Sequence, residues 1–210
     1  MKNFLAIDTS NDYMSIVACK DGVMTTAFLA DCAMQHSVNL MPTVQDVLSR
    51  AQLTVAECDF FAAAVGAGSF TGIRIGISAA KGFALAVGKP TLGVTSFDVI
   101  AYNTMKQESG KILCLINALH DAYYACGYQN GEVCYAPAYL TEEEVLALVT
   151  QGYTLYACGD LPIANKAAVQ VVSPVEGLQK AVLARAKQGA FGDLEALYVR
   201  KSSAEIQKCK

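Results

Sequence analysis

The stretch that decides the fold is Val65-Gly66-Ala67-Gly68-Ser69-Phe70-Thr71-Gly72-Ile73-Arg74-Ile75-Gly76-Ile77. An apolar run, Asp59 to Val65, leads into it, and a nearly unbroken small or apolar run, Ser78 to Val87, follows. That order reads as a buried strand, a glycine turn and a helix over 71–87. The small residues recur at steps of four, as Gly68, Gly72, Gly76 and Ala80. They make one helix face almost without side chains, which lets another backbone come close. Either the turn holds a phosphate or the helix holds a neighbour.

The spacing favours the neighbour. A P-loop needs a lysine directly after its last glycine, and Gly72 is followed by Ile73. A dinucleotide fingerprint that starts at Gly66 needs its third glycine at Thr71. The free amides of a helix start can still take an anion. Ile73, Ile77, Ala80 and Ala84 form one apolar stripe, and Ile75, Ala79 and Phe83 form another. A helix apolar on both stripes is expected to be covered twice, by its own sheet and by a partner.

Working outward, residues 3–7, 13–19 and 23–30 read as three antiparallel strands, with Asp21-Gly22 as the hairpin turn. Residues 35–51 read as a helix with a core stripe of Leu40, Val44, Val47, Leu48 and Ala51; Pro42 either starts or kinks it. After the glycine helix come a short strand, Leu92–Val94, and a helix from Ser96, its plausible N-cap, to Lys106. The second half starts the same way. An apolar strand ends at Asn117, a second runs through Ala122–Tyr128, and Asn130-Gly131 turns into a third. Asp8 to Gly22 spans fourteen positions, as does Asn117 to Gly131, which points to a duplicated unit. Thr141 with Glu144 forms a capping box, a strand covers 153–158, a short strand 169–172 and a helix 176–188. Residues 196–200 close the ordered part, and the tail from Lys201 is expected to be irregular.

Three antiparallel strands and then alternating helices and strands, once in full and once shortened, is the order of a ribonuclease-H-like lobe. The expected fold is therefore α/β: two such lobes in the actin/hexokinase (ASKHA) arrangement, residues 1–108 and an abbreviated, degenerate lobe 109–210.

Composition sets bounds. The chain has 210 residues, 53% of them apolar, a net charge of -3 and scattered lysines and arginines. Such a balance gives little electrostatic footprint for nucleic acid. The apolar richness hints at surface buried against another chain. The apolar runs break before the roughly 20 residues of a spanning helix, and no signal sequence opens the chain, so a cytoplasmic protein without a membrane partner is expected. The eight cysteines have no C-x-x-C spacing and read as reduced, mostly buried small hydrophobes.

Phe4 to Ser10 (FLAIDTS), the segment His36 to Leu48 around Met41-Pro42, Gly66 to Gly76 (GAGSFTGIRIG) and Tyr198-Val199-Arg200 together resemble the bacterial TsaB family, also called YeaZ. The resemblance runs in order along the whole chain. It implies a subunit of the machinery that makes N6-threonylcarbamoyladenosine in tRNA. In that machinery the chemistry belongs to the paralogue TsaD, with metal-binding histidines, and TsaE is an ATPase. ATP and metal would then belong to partner subunits, with none required by this chain, and tRNA would meet it only through the complex. The family pairs through first-lobe helices, here 35–51 and 71–87. Two departures matter: Ala67 stands where the family commonly has proline, and Asn117-Ala118-Leu119 where it commonly has aspartate, alanine and arginine.

The residues themselves weigh the chemistry. Asp8, Thr9 and Ser10 could hold a hydrated magnesium and phosphate, or could simply close a strand end. The second lobe offers Asn117 and no acid, and half a clamp holds a triphosphate poorly. That argues against catalysis and leaves weak nucleotide binding open. The only histidines, His36 and His120, have no partner four residues on, so glycoprotease-like metal chemistry and peptidase activity are not expected. Arg74 reads equally as a snorkelling surface side chain or as a charge at an interface rim.

The expected function is a non-catalytic TsaD partner, heterodimeric with TsaD and able to pair with itself as a homodimer. The expected partner surface is His36, Leu40, Val44, Leu48, Gly72, Ile73, Arg74, Gly76 and Ala80. The alternative is an actin-like ATPase or kinase-type enzyme acting alone.

Overall fold

The computed structural model describes residues 2–104 and 110–200. Its strands form two five-stranded sheets. The first is built from β1 (Phe4–Asp8), β2 (Met14–Lys20), β3 (Val23–Leu29), β4 (Phe60–Ala64) and β5 (Thr91–Val94), in the order β3-β2-β1-β4-β5. The second holds β6 (Lys111–Asn117), β7 (Ala122–Gln129), β8 (Glu132–Thr141), β9 (Tyr153–Ala157) and β10 (Val169–Val171), in the order β10-β9-β6-β7-β8. In each sheet the first three strands are antiparallel neighbours and the last two add in parallel. Number for number the two topologies are the same, so the duplication read from turn spacing is a duplication of fold.

The two hairpin turns match in detail. Asp21 and Gly22 have φ of 52° and 87°, and Asn130 and Gly131 have 51° and 85°. Two consecutive left-handed residues are what a tight two-residue hairpin demands, and Asx-Gly supplies them at low cost.

Among the described residues five α-helices accompany the strands: α1 (His36–Arg50), α2 (Phe70–Val87), α3 (Ser96–Ala101), α4 (Glu142–Thr150) and α5 (Pro174–Lys187). The units differ at one connection. Where the first has the 18-residue α2 between its parallel strands, the second has only the 3-10 turn Pro162–Asn165. Pro42 lies inside α1 rather than at its start. The cap of α3 is Thr95, whose hydroxyl accepts from the Asp98 amide while Asp98 accepts from the Thr95 amide. Ser96, the residue expected at that cap, is freed for another contact. The expected extension of this helix to Lys106 runs past Ala101 and partly outside the described residues.

Sheet periodicity assigns the cores. Leu5 and Ile7 of β1, with Phe61 and Ala63 of β4, face α1 and α2; Phe4, Ala6, Phe60 and Ala62 face the other way, onto Leu178, Ala181 and Val182 of α5. In the second sheet Leu113 and Leu115 face the α4 side, while Ile112, Cys114 and Ile116 pack on Phe97, Ile100 and Ala101 of α3. Each unit thus lends its last helix to the other unit's sheet.

This corrects the expected division at residue 108. The segment 174–199 follows the second sheet in sequence but packs largely on the first. Besides α5, Leu194 lies in the α1/α2 core, the Phe191 ring meets Phe60 edge-on at 5.2 Å, and the Leu197 amide donates to the Val65 carbonyl at 2.7 Å. Where α3 and α5 cross, Gly177 touches α3. A β-carbon there would lie 2.8 Å from the Val99 carbonyl carbon and nearer still to its oxygen. Asn103 clamps the crossing, donating to the Val99 and Ser173 carbonyls at 2.9 and 3.0 Å.

Two helix glycines therefore predict opposite outcomes. Gly82 in α2 has nothing within 4 Å of a built β-carbon, so Gly82→Ala should stabilise by about 0.5–1 kcal/mol. Gly177→Ala gains the same helix propensity but drives into the α3 backbone, and should destabilise by about 1–3 kcal/mol. Urea denaturation of the two variants checks the sign of each.

Candidate functional site

The two sheets leave a cleft of about 720 Å³ between them. One wall is Asn11–Tyr13, Phe28 and Asp31; the other is Asn117–His120, Tyr124 and Cys158–Leu161; Ser69, Phe70 and Arg200 also line it. The turn that follows β1 reaches it through Asn11 and Asp12.

Asp8 ends β1 with no exposed surface. Its Oδ1 accepts from the Ser10 amide at 2.9 Å and the Ser10 hydroxyl at 2.6 Å, and its Oδ2 accepts from the Tyr13 hydroxyl at 3.3 Å. Both oxygens are engaged by the chain's own donors. Ser10 Oγ also meets Ser96 Oγ at 2.9 Å and accepts from the Asn11 amide group at 3.0 Å. The Thr9 hydroxyl donates to the Gly72 carbonyl at 2.7 Å. Burial pushes the Asp8 carboxyl up, against the hydrogen bonds from Ser10 and Tyr13. It pushes the Tyr13 hydroxyl well above its ordinary value, helped by the Asp8 charge. The Cys158 thiol, which faces Tyr13 from the other wall, is pushed up to about 12, first by burial and then by Asp8.

The glycine segment closes this turn from above. The Ser69 amide donates to the Ser10 carbonyl at 2.8 Å, and the Ser96 amide to the Gly66 carbonyl at 2.6 Å. Ser69 caps α2, its hydroxyl accepting from the Gly72 amide at 3.3 Å. A β-carbon on Gly72 would lie 3.2 Å from the Thr9 carbonyl carbon and well inside its oxygen; one on Gly76 would lie 2.7 Å from Thr9 Oγ1. The bare face of α2 therefore receives the end of its own β1. On the facing wall Asn117 Oδ1 accepts from the Leu119 amide at 2.8 Å, and Leu119, His120 and Asp121 all have φ between 53° and 63°. Among the described residues no three His, Cys, Asp or Glu side chains gather as metal ligands.

The expected partner surface needs correction. His36, Leu40, Val44 and Leu48 are buried under α1, and Gly72, Ile73, Gly76 and Ala80 under α2. Only Arg74 of the nine is exposed. His36 neither caps α1 nor faces outward; its Nε2 lies 3.1 Å from the Tyr13 carbonyl, tying α1 to the cleft turn. The stripe visible as a helical period is the one that fills the core, and the opposite stripe is left exposed. That stripe carries Val38 and Met41, with Met34 just before it, and Leu85 on α2, all exposed. Arg74 donates through Nε to the Tyr198 hydroxyl at 2.9 Å. Among the described residues α2 is also the one helix long and apolar enough to cross a membrane by length and composition, against the expectation that every apolar run breaks first. Its inner face packs in the first core. Tyr13 and Ser96, central to the buried network, carry no sequence signal beyond their types. Of the seven described cysteines five are buried, Cys134 is exposed and Cys158 partly buried; Cys209 and the tail from Lys201 lie outside the described residues.

Two ribonuclease-H-like units facing across a cleft define a protein of the actin/hexokinase-type architecture, here with its first-strand turn closed by a helix. A family model described as "TsaD: tRNA N6-adenosine threonylcarbamoyltransferase" matches residues 30–206, and the chain belongs to that family. Its named relatives are TsaB proteins, in keeping with the resemblance read from the sequence. The tRNA threonylcarbamoyladenosine biosynthesis protein TsaB of Escherichia coli (strain K12) is 33% identical over 129 residues, 61% of this chain and 55% of that protein. TsaB of Bacillus subtilis (strain 168) is 31% identical over 129 residues, 60% of this chain and 56% of that protein. The chain spans about half the length of the curated relatives it matches. Among solved structures, YeaZ from Pseudomonas aeruginosa superposes with a TM-score of 0.77 at 23% identity, covering 94% of this chain and 100% of that one. An uncharacterized Pseudomonas aeruginosa protein described as similar to peptidase YEAZ gives 0.79 at 24%, covering 95% and 100%. These two likenesses show the fold.

The buried carboxylate sets a pH dependence. A raised folded-state pKa means the folded chain binds the Asp8 proton more tightly than the unfolded chain. The Asp8 contribution to stability therefore grows as pH falls through that raised pKa, and the penalty is full above it. Asp8→Asn keeps an acceptor for Ser10 and removes the buried charge. Its melting temperature should equal or exceed wild type at pH 7, and the difference should shrink toward pH 4. Thermal melts of both proteins across that range give the answer.

Proposed function

We propose that this chain is a non-catalytic subunit that binds a TsaD-type transferase and supports threonylcarbamoylation of tRNA adenosine. The observation that carries the reading is the closed turn. Both Asp8 oxygens accept from the chain itself, and Gly68, Gly72 and Gly76 press on Thr9 and Ser10 where a lobe of this architecture would seat phosphate. The facing strand β6 ends in Asn117 where β1 ends in Asp8. A chain built this way has neither half of a phosphate clamp. It therefore works without ATP or metal of its own, which belong to its partners, and it is not a peptidase.

The relatives named TsaB and the family match supply the pathway. The partner meets α1 and α2 on the stripe their own core leaves free: Met34, Val38, Met41 and Leu85, rimmed by Arg74. An exposed apolar stripe across two neighbouring helices is what a protein interface uses. The same stripe can pair with itself when the transferase is missing, giving an isologous homodimer. TsaE joins through the larger complex, tRNA reaches the chain only there, and the assembly works in the cytoplasm.

The test is co-purification with the TsaD of the same organism. Val38→Asp with Met41→Asp should leave the melting temperature within a few degrees, since both side chains are exposed. It should lower complex affinity at least about 100-fold, the effect of about 2.7 kcal/mol from charges forced into an apolar contact. Retention of the complex would reject the stripe. Gly76→Leu is expected to unfold the chain rather than spare it, because the added bulk meets Thr9. Purified chain should turn over no ATP.

A further inference from the structure

The first and last strands of the two sheets do not explain what the chain does after Leu194. Residues 197–200 lead to the cleft, which Arg200 lines, with their side chains on alternating sides. Leu197 and Val199 turn inward, onto the inter-sheet core that also holds Cys158 and Tyr124. Tyr198 and Arg200 turn outward, and they reach different lobes.

Tyr198 goes to the first. Its ring stacks on Phe70 at 4.3 Å between centroids and 10° between planes. Arg74 places its guanidinium 5.9 Å from the Phe70 ring and 5.7 Å from the Tyr198 ring, with Nε bonded to the Tyr198 hydroxyl. Arg200 goes to the second. Its guanidinium lies 4.8 Å from the Tyr139 ring of β8 and donates to the Tyr139 hydroxyl at 3.2 Å, beside Tyr124 at 6.0 Å. Each end is thus a cation–π contact reinforced by a hydrogen bond to a tyrosine, and a single residue, Val199, separates them in sequence. Elsewhere the lobes meet through the α3 side, where Tyr128 donates to Asp98 at 3.1 Å.

We propose that residues 197–200 form an interlobe clasp that sets how far the cleft opens. Its first-lobe anchor, Phe70 with Arg74, is the opening turn of α2. The outward face of α2 and the cleft aperture are therefore mechanically joined. The proposal stands apart from the partner reading, because the clasp is intramolecular and its test needs no second protein.

The native thiols report on it. Cys158 lines the cleft and packs in the same cluster as Leu197 and Val199. Cys58 is buried in the first core and marks global unfolding, and exposed Cys134 marks reagent delivery. The experiment is alkylation of the full chain with N-ethylmaleimide, mapped by mass spectrometry, in Tyr198→Ala and Tyr139→Ala. Neither side chain lines the cleft. Loss of either anchor should speed Cys158 alkylation about tenfold, the scale of one such aromatic and cation–π contact, with Cys58 and Cys134 unchanged. Because the anchors act in series, the double variant should be no faster than the faster single. An unchanged Cys158 rate, a parallel rise at Cys58, or additive effects in the double variant would each overturn the clasp.

Discussion

A contact without side chains organises this molecule: the bare face of α2 against the turn after β1. Gly72 and Gly76 leave no atoms between the helix backbone and Thr9, and the Thr9 hydroxyl and the Ser69 and Ser10 backbones bond across the gap. Three properties follow from it. The helix is held so close that Ile73, Ile77, Ala80 and Ala84 fill the first core. The turn is closed, so Asp8 is buried and answered by Ser10 and Tyr13. The helix start is brought to the rim of the cleft, where Phe70 and Arg74 can meet Tyr198. Any side chain on that face would separate all three.

The second constraint is the exchange of helices. A ribonuclease-H-like sheet has two faces to cover. Here α1 and α2 cover one face of the first sheet, and α5 arrives from the far end of the sequence to cover the other; α3 does the same for the second sheet. Neither unit buries both faces by itself. The close crossing of α3 and α5 at Gly177 is the joint, with Asn103 satisfying carbonyls on both helices. Such reciprocity ties the lobes together on the α3 side.

This division also separates what the sequence discloses from what it hides. Local rules carry far: the Asx-Gly turns, the capping box at Thr141 and the helical stripe of α1 all stand where periodicity and turn chemistry put them. The repeat of fourteen positions is readable because hairpin geometry ties turn residues to strand length. Long-range pairing carries no such mark. Nothing near Leu178, Ala181 and Val182 says that their sheet begins at residue 4, and an apolar stripe does not name the surface it meets. The same blindness put buried residues on the expected surface, since a period of 3.6 reveals the side a helix buries and is silent on the other. Thr95 displaces Ser96 as the cap because its side chain can also close a box with Asp98, and the freed Ser96 turns to Ser10.

The duplicated halves differ in the element that matters most to the site. The first keeps a long helix between its parallel strands and uses it to stopper the turn; the second replaces it with the Pro162–Asn165 turn and leaves the Asn117 loop in a left-handed run of three residues. A single non-glycine residue in that conformation carries a cost, so three in a row persist only because the loop is held at both ends. Ala118 donates to Ala122, Ala122 to Leu119 and Glu142 to Asp121. One half of the architecture is thus closed by packing and the other by a rigid polar turn. The first turn is held by the helix packed on it and the second by its own backbone bonds, while Val38, Met41 and Leu85 stay exposed on the backs of α1 and α2. The glycines that close the turn inside and the exposed Leu85 outside belong to one helix, which serves the core and the surface together.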